Sequence, residues 1–411
     1  MVPGINAQQN ESNSYTLQHA NNISSEVLVK ELLFEREIPI SSNNKVKVLR
    51  SGSEKFLDMF DAIRNAKHHI HLEYFNFRND SIGNALFDLL AEKAAEGVKV
   101  RALCDAFGNW SNSMPLKKVH LNTLREKGIE IEIFDPLRFP YLNHAFHRDH
   151  RKIVVIDGIV GYTGGMNVAD YYIEGLPDIG NWRDMHIRIE GDAVKGLQEI
   201  FLRTWHRVTN QKIEGSEYYP EIKELQYEDG KSVAIIDRTP RKTPKNIRHL
   251  YIESISSAQE KIQIVNPYFL PPKSVKKALK KALERGVQVE IMFSLKSDIS
   301  FTPDGTFRVA YRLMKEGAEI YLYDGGFHHS KIMMIDDSFC TVGSTNLDCR
   351  SLRCDYEVNA FVFDKDITQE LIDVFEFDKE SCVLLTKEIW QDRSLWRRFV
   401  GWVASVMTPL L

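Results

Sequence analysis

The strongest constraint on this chain of 411 residues is that it repeats itself at nearly half its own length. Gly97 and Gly286, Gly128 and Gly317, and Asp135 and Asp324 are each 189 residues apart. The strings around these markers match in type. FDLLAEKAAEGVKVRAL (87–103) is echoed by KALKKALERGVQVEIMF (277–293), and LREKGIEIEIFD (124–135) by LMKEGAEIYLYD (313–324). Upstream, RNAKHHIHLEYFNF (64–77) is echoed by SSAQEKIQIVNPYF (256–269). An offset kept over so many positions marks a tandem duplication, and so long a period means two packed domains rather than a solenoid.

Each unit reads as α/β. Residues 67–77 predict a buried strand, 83–96 a helix with Leu86, Leu89, Leu90 and Ala94 on one face, and 98–105 a second strand. A helix over 121–127 leads into a third strand over 129–134. This alternation predicts an α/β architecture with some parallel strands. Val27, Leu28, Leu32, Leu33 and Phe34 predict a short helix between Ser25 and Pro39, behind a polar, flexible tail over 1–24. The expected organisation is a tail and short helix over 1–45, a first domain over 46–215, a linker over 216–230, a second domain over 231–390 and an amphipathic end over 391–411.

Charge narrows the function. With 53 Lys+Arg against 57 Asp+Glu, the net charge of −4 argues against a dedicated nucleic-acid binder. Five cysteines, an odd number without CxxC spacing, exclude a disulfide scaffold and a Cys-rich zinc site and fit a reducing compartment. No stretch reaches the roughly 18 apolar residues that span a bilayer, and the N-terminus has no signal-peptide pattern.

Each unit carries one unusual string. His150-Arg-Lys152-Ile-Val-Val-Ile-Asp157 is followed by Gly164, Gly165 and Asn167; His329-Ser-Lys331-Ile-Met-Met-Ile-Asp336 is followed by Gly343, Ser344 and Asn346. Both read H-x-K-x4-D-x6-G-[GS]-x-N, with 17 residues from His to Asn. In an extended segment His and Lys point to one face, while Ile153 and Val155 point the other way, into the core. The glycine-rich turn allows close backbone approach. If the units pack about a pseudo-twofold axis, two imidazoles, two ammoniums and two amides converge. The ammoniums and amides suit the oxygens of a phosphate diester. The imidazoles suit attack at phosphorus and protonation of the leaving alcohol.

These paired strings resemble the HKD motifs of the phospholipase D superfamily, and more narrowly the bacterial cardiolipin synthases within it. Leu72-Glu73-Tyr74, Asp105 with Gly108, Asn181-Trp-Arg-Asp184, Asn266-Pro-Tyr-Phe-Leu-Pro-Pro272 and Asn346-Leu-Asp-Cys-Arg-Ser351 leading to Glu357 support the likeness, which runs from about Val46 to the C-terminus. The resemblance implies two phospholipase D-like α/β sandwich domains about a pseudo-twofold axis. It implies transfer of a phosphatidyl group from one phosphatidylglycerol to another through a phosphatidyl-histidine, without metal or other cofactor. By that likeness His150 is the nucleophile and His329 the acid, then the base. Lys152, Lys331, Asn167 and Asn346, with Gly165 and Ser344, hold the substrate. Glu357 orients His150, and Asp184 orients His329. Asp157 and Asp336 complete the motif and are expected to pin turns at strand ends. Two departures stand out: Asp355 occupies a position usually held by Asn, and the family's N-terminal membrane-spanning helices are absent from this sequence.

Other features have plainer readings. His144, His147 and His150 are spaced HxxHxxH, but no carboxylate follows at helical spacing, so loop histidines are expected rather than a zinc site. His68, His69 and His71 read as structural. The basic helix from Lys273 to Arg285 is a solvated face or a contact for anionic lipid. Leu395, Phe399, Trp402, Val406 and Leu410, with Arg393, Arg397 and Arg398 nearby, predict a C-terminal helix that lies on a membrane or packs on the domain. The expected partner is phosphatidylglycerol in an anionic membrane, not nucleic acid, with the protein peripheral on the cytoplasmic side of the cell membrane. Hydrolysis at the same site, as a phospholipase D or less readily a nuclease, is the alternative. A non-catalytic binding module is disfavoured because both motif sets are complete.

Overall fold

The computed structural model describes residues 23–136, 147–221, 227, 229–298 and 302–407. Most of the expected N-terminal tail, His144, part of the expected linker and the last four residues lie outside these.

The first unit holds strands β1 (Asn44–Leu49), β2 (His69–Tyr74), β3 (Lys99–Asp105), β4 (Glu130–Phe134), β5 (Lys152–Ile156), β6 (Val160–Gly164), β7 (Trp182–Arg183) and β8 (His186–Gly191). The second holds β9 (Ser232–Arg238), β10 (Lys261–Val265), β11 (Gln288–Ser294), β12 (Glu319–Tyr323), β13 (Phe327–His328), β14 (Ile332–Ile335), β15 (Phe339–Gly343), β16 (Glu357–Phe363) and β17 (Cys382–Leu384). The sheets run β1-β8-β6-β5-β2-β3-β4 and β17-β12-β11-β10-β14-β15-β16-β9. Apart from the edge strand β17, the second order is the first read in reverse. In each sheet three strands are parallel, β2-β3-β4 and β10-β11-β12, and the others join antiparallel. The duplication is thus one mixed-sheet topology made twice.

The repeated glycines have a local cause. Gly97 (φ 95°) and Gly286 (φ 88°) follow the helices Ser81–Ala95 and Lys273–Glu284. Their left-handed backbone ends each helix and turns the chain into the next strand, at no cost to a residue without Cβ.

Each sheet is buried on both faces, which explains strands such as β2, where all six residues are inaccessible. One face of each sheet is covered by its own helices. The other contributes to a core shared between the units, where Ile153, Val155, Ile187 and Ile189 join Ile332, Met334, Val342, Val358 and Val362. Ile153 and Val155 therefore do face a core, the one that holds the two halves together. The N-terminal helix Ser25–Glu35 packs Val29 and Leu33 into the second unit rather than the first.

Candidate functional site

The two motif histidines are brought together by backbone pairing across the unit boundary. Just before β5, Asp149 bridges Tyr356; His150 N–H donates to the Tyr356 carbonyl at 3.0 Å and Tyr356 N–H to the Arg148 carbonyl at 2.8 Å. On the other side β13 runs parallel to β7, pairing Phe327 with Trp182 and His328 with Arg183, and His329 N–H donates to the Arg183 carbonyl at 2.6 Å. The residue after each bridge is an acid. Glu357 so reaches His150, with Oε1 3.1 Å from Nδ1, and Asp184 reaches His329, with Oδ2 2.7 Å from Nδ1. Each imidazole is held by the other unit's carboxylate. A carboxylate only accepts, so each Nδ1 carries the proton and each Nε2 keeps a lone pair.

The lysines differ between halves. Lys331 Nζ lies 3.0 Å from His329 Nε2 and 2.8 Å from its Nδ1. Lys152 Nζ donates to the His150 carbonyl at 2.5 Å and lies over the Phe75 ring; the described residues give it no contact with the His150 ring. Burial, with the charges of Lys152 and Lys331, holds both imidazoles well below the ordinary histidine range. Burial, partly offset by Glu357, lowers Lys152 to about 7; burial, partly offset by Asp184, lowers Lys331 to about 8. The carboxyls move the opposite way. Burial raises Asp184 to about 6 against the pull of Lys331, and Glu357 to about 7 against that of Lys152. An anionic guest between the lysines would raise both again.

The carboxylates also sit differently. A Cβ on Gly165 would lie 2.1 Å from Asp184 Oδ1, so only glycine leaves room for the short acid. At the matching position the Ser344 hydroxyl donates to Glu357 and accepts from Val358 N–H at 3.0 Å. Gly165 and Ser344, expected to bind substrate, stand behind the acids and do not line the cavity. Asn167 and Asn346 do line it, each with a buried Oδ1 that has no partner among the described residues. Turning either amide over would present its Nδ2 to the cavity instead.

Asp157 and Asp336 are elsewhere. They stand past the far ends of β5 and β14, about 16 Å of strand beyond the motif lysines. There Asp157 accepts from the N–H groups of Lys67, His68 and His69, and Asp336 from those of Gln259, Glu260 and Lys261. Both hold left-handed turns (φ 53° and 52°), the strand-end place expected of them, and neither lines the cavity. His147 is exposed, its Nδ1 2.8 Å from the Cys354 carbonyl. His69 and His71 are buried and share Gln198, at 3.1 and 3.0 Å. Among the described residues no group of three or more His, Cys, Asp or Glu could hold a metal.

His150 and His329 open into one cavity of about 670 Å³. Its wall beyond the motifs was not legible as a site. Phe75 packs edge-on against His150 with centroids 5.3 Å apart, Trp182 stands 5.3 Å and Tyr268 6.2 Å from His329, and Arg148 is buried in an ion pair with Asp105 at 3.0 Å. These residues fall within or beside the supporting strings quoted above, which was the one signal available. Asp355 lines the cavity, paired with Arg350 Nε at 2.9 Å, so the departure from Asn is neutralised locally.

The chain is similar to known proteins over most of its length. The family model described as cardiolipin synthase, PLD-like domain, matches residues 59–205 and 251–379. The chain is 38% identical over 375 residues to the cardiolipin synthase of Geobacillus sp. (strain WCH70), covering 91% of this chain and 74% of that protein. It is 37% identical over 391 residues to cardiolipin synthase 1 of Staphylococcus epidermidis (strain ATCC 12228 / FDA PCI 1200), covering 93% and 78%. Among solved structures, phosphatidylserine synthase from Haemophilus influenzae Rd KW20 superimposes with a TM-score of 0.68 at 16% identity, over 94% of this chain and 98% of that one, a likeness of fold.

Proposed function

The chain belongs to the bacterial cardiolipin synthases, phosphatidyltransferases of the phospholipase D superfamily that act on phospholipid, and from that premise we propose that it transfers a phosphatidyl group between two molecules of phosphatidylglycerol. The observation that carries this reading is the crossed pair His150–Glu357 and His329–Asp184, facing one cavity with two lysines beside it.

In the first step the donor's phosphate oxygens lie between Lys152 and Lys331. His150 Nε2, whose lone pair no described residue engages, attacks phosphorus. The bond to the glycerol oxygen breaks, and that oxygen takes a proton from His329 Nε2. The diester's charge favours this protonated imidazole, which the free site disfavours, and Lys331 Nζ lies 3.0 Å away as its neighbouring proton donor. Glycerol leaves, and the phosphatidyl group stays on His150. In the second step His329 accepts the proton of a hydroxyl on a second phosphatidylglycerol. Its oxygen attacks phosphorus, the P–N bond breaks, and cardiolipin forms as His150 returns to neutral.

The same reading has the protein working at an anionic membrane surface, peripherally. The helix Leu395–Met407 supports it: Leu395, Trp396, Phe399 and Trp402 are exposed, while Gly401 and Ala404 face the helix Thr302–Lys315. No described helix is long and apolar enough to cross a membrane.

The test is pure protein with vesicles of phosphatidylglycerol alone and mass spectrometry of the products. Cardiolipin and glycerol in equal amounts are expected; phosphatidic acid as the sole lipid product would replace transfer by hydrolysis.

A further inference from the structure

The cavity wall is not the same at its two ends. Around His150 stand Phe75, Arg148, Arg350 and Asp355, with both guanidiniums paired, to Asp105 and Asp355. Around His329 stand Trp182, Tyr171, Tyr172 and Tyr268, and of the carboxylates that line the cavity Asp298 is the one joined to this group, through Tyr268. Asp298 lies just past β11, at the carboxyl end of a parallel strand, where α/β sheets place their ligand-binding loops. Its Oδ1 accepts from the Tyr268 hydroxyl at 2.5 Å and from the Ser297 hydroxyl at 3.4 Å. No described side chain engages its Oδ2. The other carboxylates on the wall are committed: Asp348 accepts from Ser351 N–H at 2.7 Å, and Asp355 holds Arg350 and the Arg148 N–H. On the same wall, Trp182 Nε1 is buried without a partner among the described residues.

We propose that Asp298, held by Tyr268, is the recognition group for the glycerol diol of the alcohol that leaves and the alcohol that enters; this rests on the two-step reading above. In that reading both alcohols sit beside His329, because it protonates one and deprotonates the other. An in-line displacement puts them opposite His150, at the Asp298 end. A carboxylate accepts from two neighbouring hydroxyls at once, and its charge repels a phosphate. Phosphatidylglycerol is thereby sorted end from end, phosphate to the lysines and diol to Asp298. The group makes the site choose a diol over a single hydroxyl or water, so Asp298 is a specificity residue and not a catalytic one.

The experiment uses the whole chain with phosphatidylglycerol vesicles, alone and with added deuterated glycerol, 1-propanol or ethanolamine as competing acceptors, the label distinguishing newly formed phosphatidylglycerol from the substrate. Wild type, Asp298→Asn and Tyr268→Phe are compared, with circular dichroism to confirm that each variant is folded. Loss of a hydrogen bond to a charged group predicts that Asp298→Asn lowers the ratio of cardiolipin to phosphatidic acid by about 10-fold or more. The preference for glycerol over 1-propanol should fall equally, with a smaller fall in Tyr268→Phe. Both products falling in proportion, or the preference for glycerol staying at its wild-type value, would overturn the proposal. So would ethanolamine competing better than glycerol with wild type, since Asp298 would then be an ammonium site. Wild type yielding only phosphatidic acid, with no alcohol accepted, would overturn the transfer reading itself, an outcome distinct from a variant whose preference among alcohols is unchanged.

Discussion

The two half-sites are built from one duplicated pattern, yet they present their histidines differently. His150 is held by the longer acid, Glu357, which a serine hydroxyl steadies, and its Nε2 faces the cavity without a described partner. His329 is held by the shorter acid, Asp184, seated against Gly165, and its Nε2 has the Lys331 ammonium 3.0 Å away. The His329 side chain is 8% exposed and that of His150 15%. A nucleophile needs a lone pair free to reach phosphorus, and an acid needs a proton close at hand. On the proposed assignment, the difference teaches that a duplicated site divides its labour through the contacts around the shared motif.

Removing either imbalance should show how much it matters. The largest effects are those of His150→Ala and His329→Ala, each expected to lower kcat/KM on phosphatidylglycerol by about 10³-fold or more. Equal retention of activity by either variant would dissolve the distinction. Next comes Gly165→Ala. Its Cβ displaces Asp184 and swings His329 off line, and misplacement of about 1 Å commonly costs about 10²-fold. Ser344→Gly, the reciprocal change, removes one hydrogen bond from Glu357 and should cost about tenfold in kcat. If Ser344→Gly proved the more damaging, the rigid seat would be on the other half. Steady-state kinetics on folded protein decides this.

The site can also be compared with itself across pH. Lys152 near 7 and Lys331 near 8 are depressed in the free site, and a bound phosphodiester raises both, so binding takes up protons. Affinity for a soluble phosphodiester headgroup should therefore fall as pH rises from 7 to 9, by up to about tenfold per pH unit for each proton linked. Calorimetry in buffers of different ionisation enthalpy reads the uptake directly; binding independent of pH in this window would mean that the lysines are already charged.

How much of this could be read from the chain alone follows the physics of each signal. The duplication and both motifs were visible, because side chains on rigid strands keep fixed spacings; the acids of the crossed pairs, Glu357 and Asp184, were named only through the family resemblance. Gly165 and Ser344 were taken for substrate contacts because nothing in a sequence shows which side of a turn faces an acid. Asp157 and Asp336 belong to the motif string, but strand rise carries them out of reach. Asp298 gave no signal, since it lies on a loop in a stretch the motifs do not mark. The edge strand β17 and the two-residue pairing of β7 with β13 were too short for any periodicity to show.

The smallest effect on chemistry is expected from Asp157→Ala. Losing the acceptor for three backbone N–H groups should lower stability by about 1–3 kcal/mol in thermal unfolding. The rate of the folded protein should stay within a few-fold of wild type. A collapse of kcat without loss of stability would return Asp157 to the chemistry.

The division of labour is tested most directly by trapping the intermediate. A phosphatidyl donor whose leaving group needs no acid should load His150 in the His329→Ala protein and stall there, since no base remains to activate the incoming hydroxyl. The P–N bond is labile in acid and stable in base, so the reaction is quenched in alkali and the adduct located by mass spectrometry. The account predicts phosphatidyl on His150 in His329→Ala, and none on His329 in His150→Ala. An adduct on His329 in the His150→Ala protein, with none on His150 in the reciprocal variant, would contradict it.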